Sequence, residues 1–290
     1  MTVQKINHIN NIIIEGSDKK PILTDITFIP SSEPKPVIFF SHGFKGFKDW
    51  GHYNRMATEF ALQGFVFVKF NFSHNGITRQ TPDEFNDLEA FGNNNFSKEL
   101  NDLGKVIYWI ENNDLIRDEI KADELFLIGH SRGGGISILK ANEDTRIKKI
   151  VSWAAPCDFD NRFGTDEMIK WKESGVMYVE NSRTHEQMPM YYQIADDYYK
   201  NKSRLNIPLA VKELQIPFMI VHGTSDDVVS VNEARLMKSW CPNAKLLIIE
   251  DGDHCFGTCH PFTKDELPAH FLEVLNETIA FLKSNPSIEA

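Results

Sequence analysis

The chain has 290 residues, 41% hydrophobic and 25% charged, the ordinary balance of a soluble globular protein. Its net charge of −10 argues against nucleic acid or an anionic membrane as the main partner. No stretch approaches about 18 uninterrupted apolar residues, and the first residues lack a basic segment followed by an apolar core, so neither a spanning helix nor a signal peptide is expected. The four cysteines, Cys157, Cys241, Cys255 and Cys259, are too few for a disulfide scaffold and fit a reducing, cytoplasmic compartment.

In chain order, residues 9–16 and 21–29 are β-branched runs around Gly16-Ser17-Asp18, which predicts an antiparallel hairpin at a sheet edge. Val37 to Phe40 is an unbroken apolar run, as in a strand buried on both faces. A helix is predicted over about Tyr53 to Gln63, stopped by Gly64, and a second buried strand over Phe65 to Phe70. Thr78 to Phe96 is polar and reads as a surface excursion. Ser97 is the predicted N-cap of a helix carrying Leu100, Leu103, Val106, Ile107 and Ile110 at helical spacing.

Leu125 to Ile128 is a strand, Ile136 to Ala141 is helix-compatible, and Ile147 to Ala155 is again a strand. Cys157 to Leu214 breaks this rhythm with polar and aromatic residues, a candidate hairpin near Val176–Met190 and flanking helical pieces. It has too many aromatic residues for a disordered linker. Alternation then resumes with a strand over Ile216 to Val221, a helix over Val231 to Trp240, a strand over Lys245 to Ile249 and a helix over Leu267 to Lys283. The fold class is therefore α/β, a mostly parallel sheet with helices on both faces. The core is assigned to residues 1–156 and 215–290 and the insertion to 157–214.

Between the strand at Leu125–Ile128 and the following helix lies Gly129-His130-Ser131-Arg132-Gly133. Strand, G-x-S-x-G, helix is the context of a nucleophile elbow, which exposes the serine hydroxyl above the sheet edge. In an open parallel sheet, ligands bind beyond the carboxyl ends of the strands. The other strand exits deliver Ser41-His42-Gly43-Phe44, then His222-Gly223-Thr224-Ser225-Asp226-Asp227, then Glu250-Asp251-Gly252-Asp253-His254. A serine, a carboxylate and a histidine thus leave separate strands in the order Ser…Asp…His.

With these motifs in order, the chain resembles the α/β-hydrolase superfamily over essentially its whole length, in its dienelactone-hydrolase-like and serine-esterase or peptidase branches. The resemblance implies Ser131 as nucleophile, His254 as base, Asp226 as orienting acid, and the backbone N–H groups of Phe44 and Arg132 as the oxyanion hole. It implies no cofactor and no metal, and it makes residues 157–214 a cap over the pocket. At residues 71–76 the chain departs from the Asp-x-Arg-Gly-His-Gly of many relatives: it reads Asn71-Phe72-Ser73-His74-Asn75-Gly76.

Rivals remain on the residues alone. Asp227 or Asp158 competes for the acid and His260 for the base. His42 and His222, before turn glycines, are expected to bond nearby backbone. Cys255 and Cys259 with their flanking histidines have zinc-like composition, but His254 is already claimed. The expected function is a serine hydrolase cleaving a carboxylic ester of a small or medium substrate. Alternatives are a serine peptidase or amidase, a thioesterase, or a hydrolase-like binding protein without catalysis.

Overall fold

The computed structural model describes residues 5–160 and 165–284, so parts of the segments assigned above, residues 1–4, 161–164 and 285–290, lie outside the described residues. The elements in order are β1 (Asn7–Glu15), β2 (Pro21–Phe28), β3 (Lys35–Ser41), α1 (Tyr53–Leu62), β4 (Val66–Phe70), α2 (Leu88–Gly92), α3 (Phe96–Asn112) and β5 (Ile120–His130). There follow α4 (Arg132–Glu143), β6 (Ile147–Trp153), α5 (Thr165–Ser174), β7 (Val176–Glu180), β8 (Gln187–Tyr191), α6 (Gln193–Lys200) and α7 (Ile207–Glu213). The chain closes with β9 (Phe218–Gly223), α8 (Val231–Trp240), β10 (Lys245–Ile249) and α9 (Ala269–Lys283).

Eight strands form one sheet in the order β1-β2-β4-β3-β5-β6-β9-β10. β1 and β2 pair antiparallel and β2 meets β4 antiparallel; every other pairing is parallel. This is the predicted architecture, an N-terminal hairpin at the edge of a parallel sheet covered on both faces. The period of two in a strand sends alternate side chains to opposite layers. Ile38, Phe40, Phe126 and Ile128 join the cluster under α1 and α9, whereas Val37, Phe39, Leu125 and Leu127 join the one under α3 and α4. α1 meets its layer with Tyr53, Met56, Ala57, Phe60 and Ala61, a helical stripe.

Two local expectations change and a third is met. The N-cap of α3 is Asn95, whose side chain accepts from the Lys98 amide, two residues before Ser97. The polar 78–96 segment is no simple surface excursion: it contains α2, capped by Asp87, and buries Phe85 and Phe91 against Phe47 and Met188. Residues 176–191 do form a hairpin, β7 with β8, paired antiparallel from Val176↔Tyr191 to Glu180↔Gln187. Among the described residues no helix is long and apolar enough to cross a membrane.

The layer under α1 and α9 carries an unusual residue. His52 is buried, its ring centroid is 3.7 Å from that of Phe271, and neither ring nitrogen has a hydrogen-bond partner among the described residues. Burial lowers its pKa from 6.5 to about 3. Between those values the unfolded chain binds a proton that the folded chain refuses, so stability must fall as pH falls below 6.5. We predict that His52→Leu folds and loses less stability than wild type between pH 7.5 and pH 5, by about 2 kcal/mol in urea unfolding. Equal losses in the two proteins would show that His52 does not set this slope.

Candidate active site

The sharpest local feature is the turn from β5 into α4. Ser131 has φ 53° and ψ −126°, a conformation that costs a non-glycine residue on the order of 1–3 kcal/mol. It is held by its neighbours: the Ser131 amide donates to the Trp153 carbonyl at 2.8 Å, and the Ser131 carbonyl accepts from Gly134 N at 2.8 Å. The start of α4 crosses directly beneath the end of β3. A Cβ on Gly133 would fall 2.3 Å from the Ser41 carbonyl oxygen, a separation that no side chain survives. The loop after β3 abuts the elbow as well, since a Cβ on Gly43 would lie 3.0 Å from Ser131 Cβ. Phe44 and Arg132, the next residue of each turn, keep amides that donate to no described residue. Arg132 opens α4, so its amide has no intrahelical acceptor and the helix dipole favours negative charge beside it.

β9 and β10 are parallel neighbours, and the turns after them bring the carboxylate and the imidazole together. His254 Nδ1 lies 2.8 Å from Asp226 Oδ2. Asp226 Oδ1 accepts from the amides of Val228 and Val229 at 2.9 and 2.8 Å. His222 Nε2 lies 3.2 Å from Oδ2 and donates to the Val229 carbonyl at 2.8 Å. The Asp226 side chain has no solvent exposure. Burial alone would raise its pKa, but hydrogen bonds from His222 and His254, with the His254 charge and the Val229 amide, hold it well below the usual carboxylate range. It is therefore a buried anion throughout the neutral range.

The rival residues lie elsewhere. Asp227 is exposed. Asp158 accepts from the Tyr198 hydroxyl and the Asp160 amide. His260 accepts from the Gly51 amide through Nδ1 at 2.9 Å. His42 donates from Nδ1 to the Gly43 carbonyl and accepts from Phe72 N, and burial lowers its pKa to about 4. His74 bonds Ser73 Oγ and faces Asp18. Cys255 and Cys259 are free thiols, and burial, aided by nearby acidic groups, pushes the Cys255 thiol up to about 12.

Ser131 lies at the junction of two cavities. One, of about 740 Å³, is lined by Ser131, His254, His130, Trp50 and Phe47 among others. The other, of about 270 Å³, is apolar and takes its walls from Phe44, Phe159, Trp171, Met177 and Met190, with Arg132. β7 and β8 thus reach both the elbow and the loop after β3. Within the first cavity, no hydrogen bond of 3.5 Å or less joins Ser131 Oγ to His254 among the described residues. Such contacts commonly tighten only with substrate bound.

Sequence reasoning passed over His130. Its Nε2 donates to the His254 carbonyl at 2.9 Å, so the residue before the serine holds the backbone of the histidine loop. Burial, together with the His254 charge, lowers its pKa to about 3 and keeps it neutral. Its place as the first variable residue of G-x-S-x-G was the available signal. The supporting role of His222 toward Asp226, and the pairing of the Arg132 side chain with Glu99 at 3.5 Å, were likewise invisible in one dimension.

A sequence profile of the BD-FAE family matches residues 24–241. No sequence among curated proteins matches the chain. Solved structures with the same fold include Est1E from Butyrivibrio proteoclasticus, with 16% identity and a TM-score of 0.64 over 94% of this chain and 98% of that one. The esterase domain of a Rhodothermus marinus protein superposes with 17% identity and a TM-score of 0.58, over 87% and 91% of the two chains. An acylaminoacyl peptidase from Pyrococcus horikoshii gives 14% identity and a TM-score of 0.65, over 96% of this chain but 42% of that one. With the match spanning most of its length and the sheet order and elbow described above, the chain belongs to the BD-FAE family, within the α/β-hydrolase superfamily.

Proposed function

We propose that the protein is a serine hydrolase that cleaves carboxylic esters of small or medium size through an acyl-enzyme. The observation that carries the reading is the pairing of His254 Nδ1 with a buried, ionised Asp226 at 2.8 Å, in the same cavity wall as a serine on a strained elbow. A serine hydroxyl is a poor nucleophile until a base removes its proton. Asp226 fixes the His254 tautomer with Nδ1 protonated and Nε2 free to take that proton, and it stabilises the imidazolium that forms. Ser131 Oγ attacks the ester carbonyl, and the Phe44 and Arg132 amides receive the oxyanion. One such donor is worth about 3–4 kcal/mol in the transition state. The imidazolium returns the proton to the leaving alkoxide as the C–O bond breaks. Water, deprotonated by His254, then releases the acid from Ser131. No cofactor or metal takes part in this scheme.

The two cavities acquire distinct roles from the same logic. The leaving oxygen must face the imidazole that protonates it, so the alcohol side belongs to the cavity lined by His254. The acyl group then occupies the apolar cavity that His254 does not line. Residues 157–214 act as a cap, since Met177 and Met190 of β7 and β8 and Trp171 of α5 wall the acyl side. Structural neighbours that are esterases fit this reading, including Est1E with ferulic acid bound.

Ser131→Ala and His254→Ala should each lower kcat on p-nitrophenyl acetate by about 10⁴–10⁶ while far-ultraviolet circular dichroism stays unchanged; a wild-type rate in Ser131→Ala rules the mechanism out. Asp226→Asn should cost about 10⁴ in kcat, and Asp227→Asn, at an exposed position, should remain within a few-fold of wild type. The reverse order of the two variants would transfer the acid role to Asp227.

A further inference from the structure

The acyl-side cavity holds one charge that the proposed chemistry leaves unused. Among its described lining residues, Arg132 is the one charged side chain. Its amide belongs to the proposed oxyanion hole, but its guanidinium has a separate environment. The side chain is 14% exposed, and its single ion pair among the described residues, to Glu99 Oε1, is 3.5 Å long. That oxygen is better satisfied by Asn94 Nδ2 at 2.7 Å, and Glu99 Oε2 has no partner among the described residues. The other guanidinium N–H groups meet no acceptor among the described residues.

Two aromatic rings lie close to this cation. The guanidinium carbon lies 4.1 Å from the Phe44 ring centroid and 5.3 Å from that of Phe96. Ring contacts stabilise the cation without using its donors. The N–H groups without an acceptor among the described residues belong to a planar fork that matches the two oxygens of a carboxylate. In a pocket of low polarity such a pair gains more than it would in water. The unpaired N–H groups keep contact with solvent and so are open to a ligand, and a carboxylate would bond them as an ionised acceptor.

We propose that Arg132 binds a carboxylate carried by the acyl part of the substrate, so that the preferred esters are half-esters of short dicarboxylic acids. The inference rests on the acyl-enzyme reading, which assigns the apolar cavity to the acyl group. Glu99 competes with the substrate carboxylate for the same cation and so tempers its binding.

The test compares esters of equal acyl length at pH 7.5 by pH-stat: monomethyl glutarate against methyl valerate, and monomethyl adipate against methyl hexanoate. The readout is the ratio of kcat/KM for half-ester over neutral ester. Wild type should give a ratio of at least tenfold in one of the two pairs. Arg132→Met should lower that ratio tenfold or more, and Glu99→Gln should raise it. A purely structural role for Arg132 would depress both esters together and leave the ratio where it was. If Arg132→Met does not fold, competitive inhibition of methyl valerate hydrolysis by glutarate, stronger than by valerate, replaces it in the wild-type protein. A wild-type ratio below tenfold in both pairs, an unchanged ratio in Arg132→Met, or no preference for glutarate over valerate overturns the carboxylate subsite. Normal, Ser131-dependent hydrolysis of methyl valerate alongside any of these leaves the ester-hydrolase reading standing, whereas loss of Ser131 dependence overturns that reading first.

Discussion

Everything else in the site depends on a single strained residue. Ser131 occupies a backbone conformation that L-residues avoid, and its surroundings must hold it there. β3 and β6 flank β5 in the sheet and fix where the strand ends. The Ser131 amide is tied to the Trp153 carbonyl, while the lack of a side chain at Gly133 lets α4 begin directly beneath the Ser41 carbonyl. Arg132, at that helix start, and Phe44 line the same cavity beside Ser131. The proposed nucleophile and oxyanion donors thus sit on one turn and the loop packed against it, held by a sheet buried on both faces.

The pairing of Asp226 with His254 follows from strand adjacency. β9 and β10 are hydrogen-bonded neighbours at the far edge of the sheet, so the turns after them must meet. A carboxylate buried in such a place is tolerated only when its oxygens are satisfied. Asp226 meets that condition with two backbone amides and two imidazoles. His130 reaches across from the elbow to the His254 carbonyl, which links the Ser131 turn to the His254 turn by a neutral hydrogen bond. These contacts leave the imidazole of His254 little freedom except at its second nitrogen.

Much of this was legible in the sequence because it is written locally. An apolar run ending in G-x-S-x-G, a run ending in His222-Gly223, and a late Gly252-Asp253-His254 each state a strand exit and its cargo within a few residues. The alternation of apolar runs and helical stripes gave the parallel sheet. Features that depend on meetings between distant segments were not legible. Asn95 displaced Ser97 as the cap of α3, one of two polar side chains two residues apart. The 78–96 segment looked too polar to be structural, yet two phenylalanines in it pack beneath the loop that carries Phe44. The Arg132–Glu99 contact spans 33 residues and two helices, and no spacing rule announces it. Sequence patterns name what each strand delivers; the packing of α3, α4 and the β7–β8 hairpin determines the walls into which it is delivered.

The central claim is that Ser131 is the attacking atom, and covalent labelling tests it most directly. The folded protein would be treated with a small fluorophosphonate at pH 7.5, weighed intact, and mapped by peptide mass spectrometry. The account predicts one phosphonyl group per chain, on the peptide carrying Ser131, with labelling slowed by several decades in His254→Ala. Absence of labelling, or a stoichiometric adduct on any other residue, would contradict it.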